Sequence, residues 1–319
     1  MKLWKALICL TFGPIWIIKG QLLLNPYEIF EKFPIFDENF IRQRRIKQII
    51  FDIIDKKDWQ AAEDKDLTEV YEFLSNGKLK RQYHTSIRKV LRYETHIQHK
   101  KQERITTTEH YEYDTLSVEY IYEPSLIIER HHYPNNYTEA TYRRYCGAYV
   151  CKEEKYIETY RPISSEKKVL DKLFLKAQDS IQTYNFDHQI KQIYYNNEKL
   201  PYKEKFIYFN KQHQITEILE QFMVANSRLK KVFNYNDYGN IENAVMTIDF
   251  GTQELYRITY TYDDKNRLFS EKHYKNQEEI KEYQYIYNEN SFELKSILIR
   301  TYETKNIRII KLNYTYYEQ

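Results

Sequence analysis

Aromatic or aliphatic side chains alternate strictly with polar ones along residues 256–262, YRITYTY. Tyr256, Ile258, Tyr260 and Tyr262 fall on one side, and Arg257, Thr259 and Thr261 on the other. A period of two is the pattern of a half-buried antiparallel strand. Tyr283, Tyr285 and Tyr287 alternate in the same way with Gln284 and Ile286. At the C-terminus Ile310, Leu312, Tyr314 and Tyr316 line one face opposite Lys311, Asn313 and Thr315. IKQIIFDIID at 46–55, SVEYIYE at 117–123 and EKYIETY at 154–160 read as strands as well. These are the β-branched and aromatic residues that strands favour. Residues 169–181, VLDKLFLKAQDSI, fit a short helix or a strand equally, and helix-period stretches are otherwise scarce.

Between strands one short frame returns: an aromatic, a polar run, a turn-forming residue, then Leu or Ile. FLSNGKL at 73–79, FNKQHQI at 209–215, YNDYGNI at 235–241 and YDDKNRL at 262–268 are its four matching copies. The fifth residue is Gly77, His213, Gly239 or Asn266, types enriched where the backbone takes φ > 0. The frame therefore predicts a hairpin turn ending in a left-handed residue. Imperfect copies stand at 184–190 (YNFDHQI) and 287–294 (YNENSFEL). From Asp187 to Asn288 the polar residue after the aromatic recurs about every 25 residues, the span of one two-stranded hairpin.

The copy YDDKNRL resembles the YD repeat of the RHS family, whose core runs Tyr-Asp-x-x-Gly-Arg-Leu. Tyr262, Asp263, Arg267 and Leu268 match it, and Asn266 stands for its glycine. The resemblance covers residues 184–294 and the isolated copy at 73–79. It implies a long antiparallel meander of hairpin repeats and carries over no toxin activity, because this chain ends in strand rather than in an effector domain. The expected fold is all-β, a twisted or curled sheet resembling an open barrel or sandwich. Residues 21–160 form its N-terminal part and 161–319 the YD-like repeats, with RPISSEKK at 161–168 as the candidate seam.

Composition changes this picture at the N-terminus. Lys2 and Lys5 precede an apolar run from Ala6 to Ile18, interrupted by Gly13 and Pro14, and Lys19, Gly20 and Gln21 follow. The run is shorter than the roughly 20 residues a spanning helix needs. Residues 1–20 read as a secretory signal peptide cut after Gly20, leaving no transmembrane span. Lys2, Lys5 and Lys19 account for the whole formal charge of +3, so the rest of the chain is neutral. That argues against nucleic acid as a partner, since such binding depends on clustered positive charge. The expected localisation is secreted, periplasmic or cell-surface.

Candidate chemistry is sparse. Of three cysteines, Cys146 and Cys151 follow the signal segment, and a pair so close in an exported chain is a disulfide candidate. Six of the nine histidines (84, 96, 99, 110, 131 and 132) cluster in sequence. Strand geometry sends His96 and His99, or His131 and His132, to opposite faces, and His110 with Glu112 makes only two ligands. Six glycines form no phosphate-binding loop, and no nucleophile motif occurs. Neither a catalytic residue nor a cofactor is assigned. Part of the excess of 33 tyrosines reflects a composition rich in Lys, Ile, Asn and Phe, and the rest is placement on strand faces. Tyr256, Tyr260, Tyr262, Tyr283, Tyr285 and Tyr287 are the candidate aromatic binding face, with core packing as the competing role. The function expected is a non-enzymatic β-repeat protein that meets a protein or polysaccharide at the cell envelope. The alternatives are a glycan-active hydrolase and a structural or escort protein like an RHS shell.

Overall fold

The computed structural model describes residues 36–98, 102–124, 126–132, 137–146, 150–162, 168–196, 198–289 and 291–318. The signal-peptide segment and its cleavage point lie outside them. The described chain is all-β apart from one short helix. Its first strands are β1 (Ile46–Lys57), β2 (Glu63–Phe73), β3 (Leu79–Gln98), β4 (Gln102–Glu123), β5 (Leu126–His132) and β6 (Tyr137–Cys146). β7 (Val150–Pro162), β8 (Lys168–Phe186), β9 (Gln189–Tyr195), β10 (Pro201–Phe209), β11 (Ile215–Phe222) and β12 (Ser227–Tyr235) continue the meander. β13 (Ile241–Asp249), β14 (Gln253–Tyr262), β15 (Leu268–Lys275), β16 (Glu278–Tyr287), β17 (Leu294–Thr301) and β18 (Asn306–Tyr316) complete it.

Every strand pairs antiparallel with its neighbours in sequence, in one 18-stranded sheet. β1 lies between β2 and β18, matching Ile53 to Leu67 on one side and to Ile310 on the other. The sheet thus curls until its first strand meets its last, and the pairings form a ring. The ring does not extend along whole strands: β3 beyond His84 and β4 before Ser117 pair only with each other, so their outer edges stay open among the described residues. Residues 169–181, ambiguous in sequence, belong to β8; pairing with β7 and β9 decides for strand where periodicity does not. Of the proposed seam at 161–168, residues 163–167 lie outside the described residues; the strands on either side, β7 and β8, pair in the same sheet, with Pro162 opposite Lys168.

The helix α1 (Glu38–Gln43) has no counterpart in the sequence reading, being too short to show a 3.6-residue period. Asp37 caps it: its Oδ1 accepts from the amides of Asn39 (2.8 Å) and Phe40 (3.2 Å). Phe36, Phe40 and Ile41 are buried with Phe51, Tyr71 and Phe73. Phe36 meets Tyr71 and Phe73 edge-on, at 4.9 and 5.1 Å between centroids. From there the core runs along one face of β1, β2 and β11–β18, through Ile49, Ala244, Met246, Ile258, Ile297 and Leu312. No described helix is long and apolar enough to cross a membrane.

Alternate hairpins turn at opposite ends of the sheet. The turns at 74–78, 210–214, 236–240, 263–267 and 288–293 share the end occupied by α1. The turns at 58–62, 196–200, 223–226, 250–252, 276–277 and 302–305 lie at the other end.

Candidate functional site

The recurring frame is a turn of one construction. In YDDKNRL the Asp263 amide donates to the Arg267 carbonyl (2.9 Å) and the Asn266 amide to the Asp263 carbonyl (2.9 Å). Asp263 Oδ1 accepts from the amides of Lys265 (3.0 Å) and Arg267 (2.8 Å), closing the loop from inside. Asn210 and Asn236 hold their turns in the same manner. The fifth residue is left-handed in all four copies, with φ of 92° at Gly77, 58° at His213, 82° at Gly239 and 60° at Asn266. A further copy at 195–201 places Lys199 there, at φ 62°, with Asn196 as the capping side chain. Sequence reasoning passed it over because lysine is not a left-handed type.

Successive turns are bonded to one another. Gln214 Nε2 donates to the Gly239 carbonyl (2.9 Å), Asn240 Nδ2 to Asn266 Oδ1 (2.6 Å) and Arg267 to the Ser291 carbonyl (3.0 Å). Tyrosine supplies a second link. Tyr235, Tyr262, Tyr287 and Tyr314 donate their hydroxyls to the carbonyls of Ile215, Ile241, Leu268 and Leu294, each one repeat back.

The six tyrosines of the candidate binding face all point toward the core. Tyr260 is 8 % and Tyr285 7 % exposed, and Tyr256, Tyr262, Tyr283 and Tyr287 are half-buried against the same cluster. Within this face the structure assembles a polar constellation that the sequence did not disclose. Glu271 accepts from the Tyr285 hydroxyl (2.8 Å) and lies 3.2 Å from His273 Nε2. The side chains of Glu271 and His273 are only 13 % and 14 % exposed. The His273 ring lies 5.1 Å from that of Tyr283, and Lys281 Nζ sits 4.7 Å over the same ring. Farther round the face, Arg308 donates through Nε and Nη2 to both oxygens of Asp55, at 2.8 and 3.0 Å.

Bulges place these groups. After each turn one residue is left unpaired: Tyr262 opposes Leu268, but Thr261 opposes Ser270, so Phe269 is extra. Simple alternation from Leu268 would send Ser270, Lys272 and Tyr274 inward. The bulge sends Glu271 and His273 inward instead, opposite Tyr260 and Ile258. The same shift follows Phe73, Phe209, Tyr235 and Tyr287.

Burial sets the electrostatics. It raises Tyr283 to about 12, with the Glu271 charge adding to the effect. Burial first, and then the Arg308 charge, lowers the Lys281 ammonium from its ordinary range, partly offset by Glu271. The hydrogen bonds to Asp55 raise Arg308. Among the described residues no group of three His, Cys, Asp or Glu side chains gathers to hold a metal ion. Cys146 and Cys151 are direct partners in the β6–β7 backbone register.

No protein-family model matches this chain, and no curated protein matches it. Among solved structures it is similar to a porin-like protein from Bacteroides uniformis, at 11 % identity and a TM-score of 0.36. That alignment covers 85 % of this chain and 97 % of the other. A porin-like protein from Bacteroides vulgatus aligns at 9 % identity and a TM-score of 0.33, over 85 % and 98 % of the two chains. A Tc holotoxin pore from Photorhabdus luminescens aligns at 11 % and 0.27, over 78 % of this chain and 16 % of that one. These scores are too low to establish a common fold, and neither a pore nor a toxin activity passes to this chain through them.

Proposed function

We propose that this is an exported, non-enzymatic β-repeat protein that binds a polysaccharide at the cell envelope. The ligand lies on the polar part of the inward face of β14–β16. The observation that supports this reading is the constellation of Tyr283, His273, Glu271 and Lys281, half-buried on one sheet face. Sugar recognition uses flat rings for contact and fixed polar groups for orientation, with little side-chain entropy to lose. Against hydrolysis, each nearby carboxylate is engaged by its own donors, Glu271 by Tyr285 and His273 and Asp55 by Arg308. The kinship with YD-repeat shells belongs to the same proposal: the linked turns and tyrosines make a stiff frame on which the site is held.

Native affinity electrophoresis of the full chain in gels cast with a panel of polysaccharides tests this. At least one polysaccharide should retard the protein, and the double variant His273→Ala, Tyr283→Ala should migrate freely while keeping a cooperative melt. Free migration of the unaltered protein in every gel would overturn the reading.

A further inference from the structure

The ring of strands carries an arm. β2 pairs with β3 only as far as His84, and β5 pairs with β4 only from Ser117. Residues 85–98 and 102–116 therefore run on together as a two-stranded ribbon, about 45 Å long at ~3.4 Å per residue. Its register holds without a shift from Arg81 opposite Glu119 to Gln98 opposite Gln102. A ribbon of two strands is marginal in water and gains stability from further strands. An edge free of bulges and proline is also the kind that recruits one.

By register position, Ile87, Leu91, Tyr93 and Ile97 share one side of β3, and Arg88, Arg92, Glu94 and His96 the other. A second copy joined edge to edge about a twofold axis keeps each side continuous when opposed residues are an even number apart in sequence. Two such registers use all but one residue of the open β3 edge. The one centred on Arg92 sets that arginine against itself. The one centred on Leu91 sets Arg88 opposite Glu94 twice, Lys89 opposite Tyr93 and Ile87 opposite Thr95, and opposes no like charges. The free edges of β4 and β8 serve less well. β4 paired along its whole free length sets Glu109 against itself, and β8 carries register shifts between Lys168 and Ser180.

We propose that the β3 edge from Thr85 to Ile97 is a dimer interface for a second copy of this chain. The two ribbons join through main-chain hydrogen bonds into one four-stranded sheet, and the two Arg88–Glu94 pairs fix its register. The interface is independent of the polysaccharide role proposed above.

Sedimentation equilibrium of the full chain tests this, and the protein should dimerise reversibly. Glu94 stands opposite Thr106 within its own ribbon, so Glu94→Arg spares the arm while opposing two arginines across the interface. It should weaken the dimer by about tenfold or more, and adding Arg88→Glu should recover most of that loss. With the native cysteines replaced by serine, Leu91→Cys on the axis should cross-link to itself under mild oxidation, and Ile87→Cys should not. A thermal melt of each variant guards against a folding defect. A monomer at every concentration would overturn the proposal. A dimer indifferent to Glu94→Arg and not cross-linked through Leu91→Cys would place the interface elsewhere and overturn it as well.

Discussion

At the scale of single residues, the protein solves one backbone problem several times with different side chains. The left-handed position of the turn is filled by Gly77, Lys199, His213, Gly239 and Asn266. Glycine takes this conformation freely, asparagine at small cost, and lysine only because the capping side chain and strand pairing hold it there. Gly239 and Gly77 should therefore respond differently to alanine. At Gly239 an added Cβ meets only the flexible Gln214 amide at 3.2 Å, so the cost is the backbone strain, about 1 kcal/mol. At Gly77 the same Cβ would overlap the carbonyl of Glu38, the first residue of α1, and the loss should exceed roughly 2 kcal/mol. Urea unfolding of the two variants side by side checks this; equal midpoints would show that α1 does not press on that turn. Four of the five positions were legible in the sequence because residue type signals φ. Lys199 was not, since the evidence for it is the Asn196 cap rather than the residue itself.

At the scale of elements, hairpins and helix differ in how they announce themselves. β14 shows its buried face by alternation because it pairs without interruption on the β13 side. β15 conceals its face behind the bulge at Phe269, and the functional candidates Glu271 and His273 with it. A bulge leaves no residue-type signature here: Thr216, Glu242, Phe269, Lys295 and Lys80 all occupy the unpaired position. The short helix is similarly silent in periodicity, yet it contributes Phe36, Phe40 and Ile41 to the core. Phe40→Ala should cost about 3–5 kcal/mol, as for a large ring removed from a packed core. The loss would appear as a lowered urea midpoint with an unchanged slope. A change under about 1 kcal/mol would mean that α1 merely rests on the sheet.

At the scale of the whole molecule, the tyrosines behave as a distributed set of buried, protonated phenols. An unfolded tyrosine ionises near pH 10, whereas burial and the Glu271 charge raise Tyr283 to about 12 and hold Tyr260 and Tyr285 well above their ordinary range. Below pH 10 both states keep these protons and stability is unaffected. Above it the unfolded chain loses them first, so stability falls as pH rises toward 12. Urea midpoints at pH 9, 10.5 and 11.5 should decline steadily, and a flat series would show that these phenols titrate freely in the folded protein. The decline should be cooperative across the sheet, because tyrosine hydroxyls tie each repeat to the one before it.

Local chemistry by itself determines the strand class, the turn construction and the antiparallel meander. Alternation, turn residues and hydrogen-bonding side chains act over a few residues and are written in their order. Three matters needed the folded chain. β1 finds β18 across the length of the sequence, and no local pattern records that partner. The tyrosine face turns inward because the curled sheet gives it a core to pack against, whereas the alternation alone leaves inside and outside interchangeable. Glu271, His273 and Lys281 meet because bulges shift strand register by one residue, and register is a relation between strands rather than a property of either.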